Sequence, residues 1–450
     1  ALSAGASDMS GWLLLGLPGA LFVSGLASAW IGIGLFVGAF INWVIVAPRL
    51  REQTVHYGNA ITIPAFLANR FPTQALSLRT VSAIVIVIFF AVYTASGLVA
   101  GGKLFESAFA GIFNFGGMSD YGIGIVITLG VVLAYTVVGG FLAVSMTDFV
   151  QGCIMMLALV IMPAVVLFGE GGGGLAQASA TLNEVDPTLL SWTEGLTFIG
   201  WLSAVTWGLG YFGQPHIIVR FMAIRTLKDV PIARNIGMTW MGISLIGAIS
   251  LGVFGRAYAV RNGLDVADPE TIFIVLSDLL FHPLITGFLY AALLAAVMST
   301  ISSQLLVSSS SLTEDFYRLF LRKEASDREC VNVGRACVVA VGLVAAVIAS
   351  DPDSQVLALV SNAWAGFGAA FGPLIILSLM WPRTNGAGAI AGLVVGAVTV
   401  MVWISLGWNG EFMGGPGVYE IIPGFIAAWI AIMVVSMATK DGGEYQHITR

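Results

Sequence analysis

Twelve apolar runs, each about long enough to cross a bilayer, recur along this chain of 450 residues. A helix needs about 20 apolar residues to cross a hydrocarbon core, and a backbone inside that core must satisfy its own hydrogen bonds. The runs fall at roughly 1–23, 27–48, 80–102, 121–138, 141–169, 197–219, 236–258, 283–311, 330–349, 355–381, 385–407 and 421–438. Charged residues make up 10% of the chain and hydrophobic ones 58%, whereas a soluble domain carries about 25% charged residues. The pattern predicts an all-α polytopic membrane protein embedded in the lipid bilayer.

Alternating sides from one run to the next places every loop. With the loop after the second run in the cytoplasm, sixteen of the 19 Lys and Arg residues lie on the cytoplasmic side, and Lys103, Arg256 and Arg261 lie outside. Such a bias is the positive-inside rule. It predicts a first run heading outward and a cytoplasmic C-terminus. The first run is already apolar at Ala1 and its first half is short for a span, so a further helix is expected before it. Among the connections, 53–77 is expected to be partly helical, and Gly139-Gly140 to be a tight inner turn. Residues 170–196, opening on Gly171 to Gly174, read as a flexible outer loop. The amphipathic run from Glu270 to Phe281 reads as a cap across the outer mouth, and 312–329 as a charged inner loop.

Composition also excludes. Cys153, Cys330 and Cys337 give no disulfide framework, and His56, His216, His282 and His447 no metal cluster. There is no phosphate-binding Gly-Lys-Ser/Thr loop and no nucleophile-base set, so neither ATP hydrolysis nor another enzymatic activity is expected. Work done by such a chain draws on an ion gradient.

Two runs are interrupted. In the first, Ser3, Gly5, Ser7, Asp8, Ser10 and Gly11 fall within nine residues. An intramembrane acid such as Asp8 is expensive and marks a functional site, and small residues around it let the helix break. In the sixth, Gly208, Gly210, Gly213 and Pro215 fall beside Trp207, Tyr211 and Gln214, and Pro215 cannot continue the helical bonding before it. The two runs open two five-segment units, 1–169 and 197–381, of opposite orientation, followed by two peripheral helices and a tail at 385–450. Interrupted helices at matching positions of inverted halves are how secondary transporters build a midplane site.

A third constellation lies in the eighth run. Ala296, Ser299, Thr300 and Ser303 share one helix face by their spacing. The carbonyls of Ala6, Met9 and Ala296 with the hydroxyls of Ser299 and Thr300 make five neutral oxygens, a donor set for a hard monovalent cation rather than a divalent one, which recruits carboxylates.

The segments SAGASDMSGW (3–12), GGFLAVSMTD (139–148), WGLGYFGQPH (207–216) and AAVMSTISSQLLVSSSSLTED (295–315) resemble the sodium/solute symporter family, nearest to its bacterial sodium/proline symporters. The resemblance covers essentially the whole chain. It implies the five-plus-five inverted-repeat fold of the leucine-transporter type with additional peripheral helices. It also implies sodium-coupled symport of L-proline across a bacterial inner membrane, with no nucleic acid and no obligate protein partner. By the same resemblance, sodium falls on Ala6, Met9, Ala296, Ser299 and Thr300, with Asp8 beside it, and Asp148 lies on a cytoplasmic ion path. Substrate contacts fall on Ser10, Gly11 and Trp12, whose N–H groups suit a carboxylate, and on Tyr135, Trp207, Tyr211, Gln214 and Pro215. The family normally carries one more N-terminal helix than is counted here. Two alternatives stand beside this reading: symport of another small organic solute, and a transporter-like sensor module.

Overall fold

A computed structural model describes residues 2–113 and 116–439; the side chains of residues 2–4 and 138–143 fall outside the description, as do Lys440, Arg450 and the rest of the expected tail. The first run is divided. Helix α1 (Leu2–Asp8) stops at a bend over Met9 and Ser10, a π-turn follows at Trp12–Gly16, and α2 is Leu17–Ser24. Then come α3 (Ala29–Ile41), a π-turn at Asn42–Val46, α4 (Ala47–His56) and α5 (Ile63–Arg70). The long helices α6 (Ala75–Ala108) and α7 (Asp120–Phe168) precede α8 (Gly174–Val185). The sixth run is divided too: α9 (Phe198–Val205), a 3₁₀ stretch at Thr206–Gly213, and α10 (Pro215–Met222). After it lie α11 (Val230–Arg261), α12 (Ile272–Leu280), α13 (Pro283–Ser310), α14 (Asp327–Ile348), α15 (Val356–Met380), α16 (Gly386–Ser405) and α17 (Ile421–Ala438). A small ribbon, β1 (Glu411–Phe412) against β2 (Gly415–Pro416), links the last two helices. Among the described residues, 10 helices are long and apolar enough to cross a membrane. The count is below twelve because the rest of the first run continues without a gap into the second as one helical stretch, Trp12–His56, while α1 and the two halves of the sixth run, α9 and α10, are each too short.

Three connections differ from expectation. Helical backbone is unbroken through Gly139-Gly140, where a tight turn was expected. A straight helix of 49 residues would extend roughly 74 Å, yet both ends of α7 lie at the face bearing Lys103 and Arg261, the outer one by the charge rule. There Tyr121 donates to Ala349 O at 2.8 Å and Tyr258 donates to Glu170 O at 3.4 Å. Between them Asp148 pairs with Arg220 on α10. The chain therefore reverses between Tyr135 and Asp148 as a bend in helical backbone, of the kind small residues permit.

Second, the stretch expected as a flexible outer loop holds the 12-residue helix α8. The glycines ahead of it mask an amphipathic repeat, Leu175, Ala178 and Leu182, of which Ala178 and Leu182 are buried. Third, the expected inner loop from 312 continues α13 as π-helix over Ser311–Leu321. Phe316 and Phe320 pair on one face, and Asp315 is buried, 3.7 Å from Arg79 on α6.

At the outer end one buried cluster joins three elements. Lys103 Nζ reaches Asp268 at 2.6 Å, Glu270 at 2.9 Å and Gln355 at 3.3 Å. Glu270 also accepts from the N–H groups of Val356 and Leu357, at 2.8 and 2.9 Å, and so caps α15. The amphipathic run expected at the mouth is helical as α12, and it is anchored by this cluster.

Candidate functional site

The first break begins where α1 runs out of hydrogen bonds. Met9 N still bonds Gly5 O at 2.9 Å, but Ser10 N turns back to Asp8 O at 2.9 Å and Leu13 N to Ser10 O at 3.1 Å. The Ala6 carbonyl points sideways instead of along the helix. From α13, Ser299 Oγ donates to Ala6 O at 2.9 Å and to Ala296 O at 3.1 Å, while Thr300 Oγ1 donates to Ala296 O at 3.2 Å. All of these residues are buried. Four of the five oxygens expected to face a cation thus meet at one place.

One turn further along α13, Ser303 Oγ lies 3.1 Å from Ser7 Oγ and accepts from Arg220 Nη2 at 2.9 Å. Asp148 Oδ2 accepts from Ser7 Oγ at 3.0 Å and from Arg220 Nη2 at 3.1 Å. Asp148 is fully buried, so its charge and that of Arg220 are compensated by each other.

The Asp8 carboxylate faces away from the hydroxyl cluster and towards the sixth run, where Tyr211 Oη donates to its Oδ2. Its carbonyl accepts from Trp12 Nε1 at 3.3 Å and from Tyr93 Oη at 3.4 Å. The two breaks are therefore tied to each other by a side-chain bond. Tyr211 is held in turn by Asn42, which donates to its carbonyl at 3.0 Å, and by Trp364, whose ring meets it edge-on at 5.0 Å. Trp364 on α15 also donates to Trp207 O at 2.7 Å and accepts at its carbonyl from Gln214 Nε2 at 3.0 Å.

The expected substrate residues are not all brought together. Ser10, Gly11, Trp12, Tyr211 and Gln214 are buried around the breaks. Trp207 stacks on Tyr419, ring centroids 5.2 Å apart, on the wall of an outer cavity of about 940 Å³. Pro215 lines a separate inner cavity of about 590 Å³ with Arg51, Val219 and Leu306. Tyr135 lines neither; its hydroxyl donates to Met298 O at 2.8 Å, beside Ser299. The Ser10 N–H, expected to be free for a ligand, is used inside the turn. The Asp8–Tyr211 pair lines neither vestibule; both residues line a small cavity of about 30 Å³ with Met9, Asn42 and Trp240.

Sequence reasoning passed over Tyr93, Asn42, Arg220 and Trp364. Arg220 carries a signal, a base within the apolar run IIVRFM, that marks an intramembrane functional residue. Trp364 sits alone in a run of Ala and Gly, where a large side chain has room to reach a neighbouring helix.

Residues 1–396 match the family model described as the sodium:solute symporter family. The chain belongs to that family. It is therefore a multi-pass membrane transporter and not an enzyme. It is 54% identical over 440 residues to the high-affinity proline transporter PutP of Bacillus subtilis, covering 98% of this chain and 90% of that protein. To the osmoregulated proline transporter OpuE of Bacillus subtilis it is 52% identical, covering 98% and 87%. To the sodium/proline symporter of Staphylococcus aureus it is 50% identical over 452 residues, covering 99% and 86%. Its fold is that of a sodium-coupled sialic acid symporter, with a TM-score of 0.77 at 18% identity, covering 99% of this chain and 90% of that one. A nucleobase-cation-symport-1 transporter shares it at a TM-score of 0.59 and 15% identity, over 99% and 93%. The architecture is the five-plus-five inverted-repeat one with peripheral helices.

Proposed function

We propose that this protein carries L-proline together with sodium across a bacterial plasma membrane by alternating access. The observation that carries the reading is the 2.9 Å contact of Ser299 Oγ with Ala6 O, which joins α13 to the unwound end of α1. The names of relatives at 50–54% identity support both the ion and the substrate.

Sodium is cargo here. Ala6 O, Met9 O, Ala296 O, Ser299 Oγ and Thr300 Oγ1 would hold it, and the donor set suits it: all neutral oxygens, with the Ser299 oxygen within 3.1 Å of two carbonyls. On binding, the Ser299 and Thr300 hydroxyls turn their protons away and offer lone pairs to the ion. Asp148 of α7 and Arg220 of α10, which meet at Ser7 and at Ser303 one turn further along α13, would form the inner ion path. Proline would lie on the other side of the break. Its carboxylate would meet the Gly11 N–H, since those of Ser10 and Trp12 are engaged within the turn, and its ring Trp207 and Tyr211, with Gln214 and Pro215 closing the second break. Tyr135 would support α13 beside the ion. Asp8 would couple the two sites through Tyr211. Residues 1–169 and 197–381 would act as the two inverted halves, with 385–450 peripheral and the C-terminus in the cytoplasm.

The test is uptake of labelled proline into proteoliposomes. An inward sodium gradient should drive accumulation, and unlabelled proline should compete where other amino acids and organic solutes do not. Accumulation that ignores the gradient, or a second solute that outcompetes proline, overturns the proposal.

A further inference from the structure

The outer cavity is lined at every charged position by an acid: Asp186, Glu194, Glu270 and Glu420, with no Lys or Arg. Field lines in such a cleft concentrate cations. Three of the four acids have ordinary explanations. Glu270 is neutralised by Lys103 and two backbone N–H groups, Asp186 is exposed and bonds Thr188, and Glu194 is exposed.

Glu420 is different. The residue is 0% exposed, and its carboxylate faces no cation: the neutral Asn409 side chain and nearby backbone steady it, and neither oxygen makes a well-formed hydrogen bond among the described residues. It precedes α17 yet its side chain does not cap that helix. The surrounding backbone is held firmly: Tyr419 N bonds Ser203 Oγ at 3.2 Å, and Tyr419 Oη bonds Ser361 O at 3.0 Å. A buried carboxylate without a cationic partner is costly, and a bound cation would relieve that cost.

We propose that Glu420 is the anionic centre of an outer sodium-binding station, with Asn409 beside it, at which the ion pauses before the break in α1. The proposal rests on the sodium-symport reading and adds a second place for the ion. The Glu420 oxygens are sealed against a water-sized sphere, so a pyrrolidinium cannot reach them, whereas a bare ion or a proton can. The other titratable groups facing the cavity are Tyr419 on the same turn, Asp186 and Glu194 ahead of α9, and Glu270 ahead of α12; the lining residues of α2, α9 and α15 include none.

The experiment is equilibrium binding of radioactive sodium to the purified full chain without proline. The wild type should bind more than one sodium per chain. Glu420→Gln should lose one component, Glu420→Asp should keep it in weakened form, and Thr300→Ala should lose the other component. A Glu420→Gln isotherm that superimposes on the wild type overturns the station. So does a wild type that binds no more than one sodium per chain, which keeps the proposal refutable even if the Gln variant does not fold. Loss in Glu420→Gln of a component of proline binding measured without sodium assigns the site to an organic cation and also overturns it. If the wild type binds no sodium at all, the symport reading itself fails.

Discussion

The two interrupted helices share a sequence signature but differ in what meets their backbone. At the first break the loosened backbone faces side chains: the Ser299 hydroxyl on Ala6 O, and Trp12 and Tyr93 on Asp8 O. At the second it faces backbone. Gly208 packs on Gly34 and Gly38 of α3, and a Cβ at any of the three would overlap main-chain atoms opposite. The polar groups of the second break are then consumed locally, by Asn42 and Trp364. A glycine-rich interruption is therefore two devices. One leaves its carbonyls to side-chain donors, as the proposed ion site requires; the other gives up its side chains so that a helix can sit tightly and present aromatic rings.

The most damaging way to break this contrast is Gly208→Val. Overpacking usually costs about 1–3 kcal/mol, and here the obstacle is backbone that cannot turn aside. The expected result is loss of monodisperse protein on size exclusion or a large fall in Tm. A variant of wild-type stability would remove close packing as the purpose of the second break.

At the first break, Asp8→Asn should act through affinity. The Asp8–Tyr211 bond links the ion-facing and substrate-facing parts, and coupling of this kind is reciprocal, typically 5–150-fold or about 1–3 kcal/mol. Proline binding measured across a sodium titration should weaken at low sodium and recover at very high sodium. If wild-type protein binds proline equally well with no sodium, the break is not the coupling element.

Thr300→Ala should raise the sodium needed for half-maximal uptake about tenfold, equivalent to ~1.4 kcal/mol. Unaltered sodium dependence would take α13 out of the ion site. The smallest effect is expected for Trp207→Ala. Loss of an aromatic face beside a cation is worth about 0.5–2 kcal/mol, so proline binding should weaken modestly while radioactive sodium still binds the substrate-free protein. A change in sodium binding alone would place Trp207 with the ion instead.

How much of this was legible from residues depends on whether the deciding interaction is local. The breaks were legible, because the five small or polar residues around Asp8 and the glycines before Pro215 act on their own backbone. The shared face of Ala296, Ser299 and Thr300 was legible from helical spacing; of its hydroxyls Ser299 meets Ala6 O, while Thr300 bonds Ala296 O on its own helix. The direction of the Asp8 carboxylate was not, since Tyr211 reaches it across 203 positions. Arg220 was counted as one more inner base, although its place in an apolar run pointed to a partner such as Asp148. In α8 the opening glycines outweighed the weaker repeat of Leu175, Ala178 and Leu182. The reversal inside α7 was legible as a reversal from the alternation of sides, but not as helical backbone.

The outer cluster around Lys103 has a kinetic consequence. Separating α6 from α15 at that face would strand a buried ammonium, or leave Glu270 without its cation while it still caps α15. Breaking one partner of a buried pair costs about 3–5 kcal/mol, and each 1.36 kcal/mol slows a step tenfold. If that cost falls on the barrier to parting the outer face, opening is slowed by roughly two to four orders of magnitude relative to the same parting without the clip. The dwell of the closed outer face is then set away from the two helix breaks, by a lysine that touches neither of them.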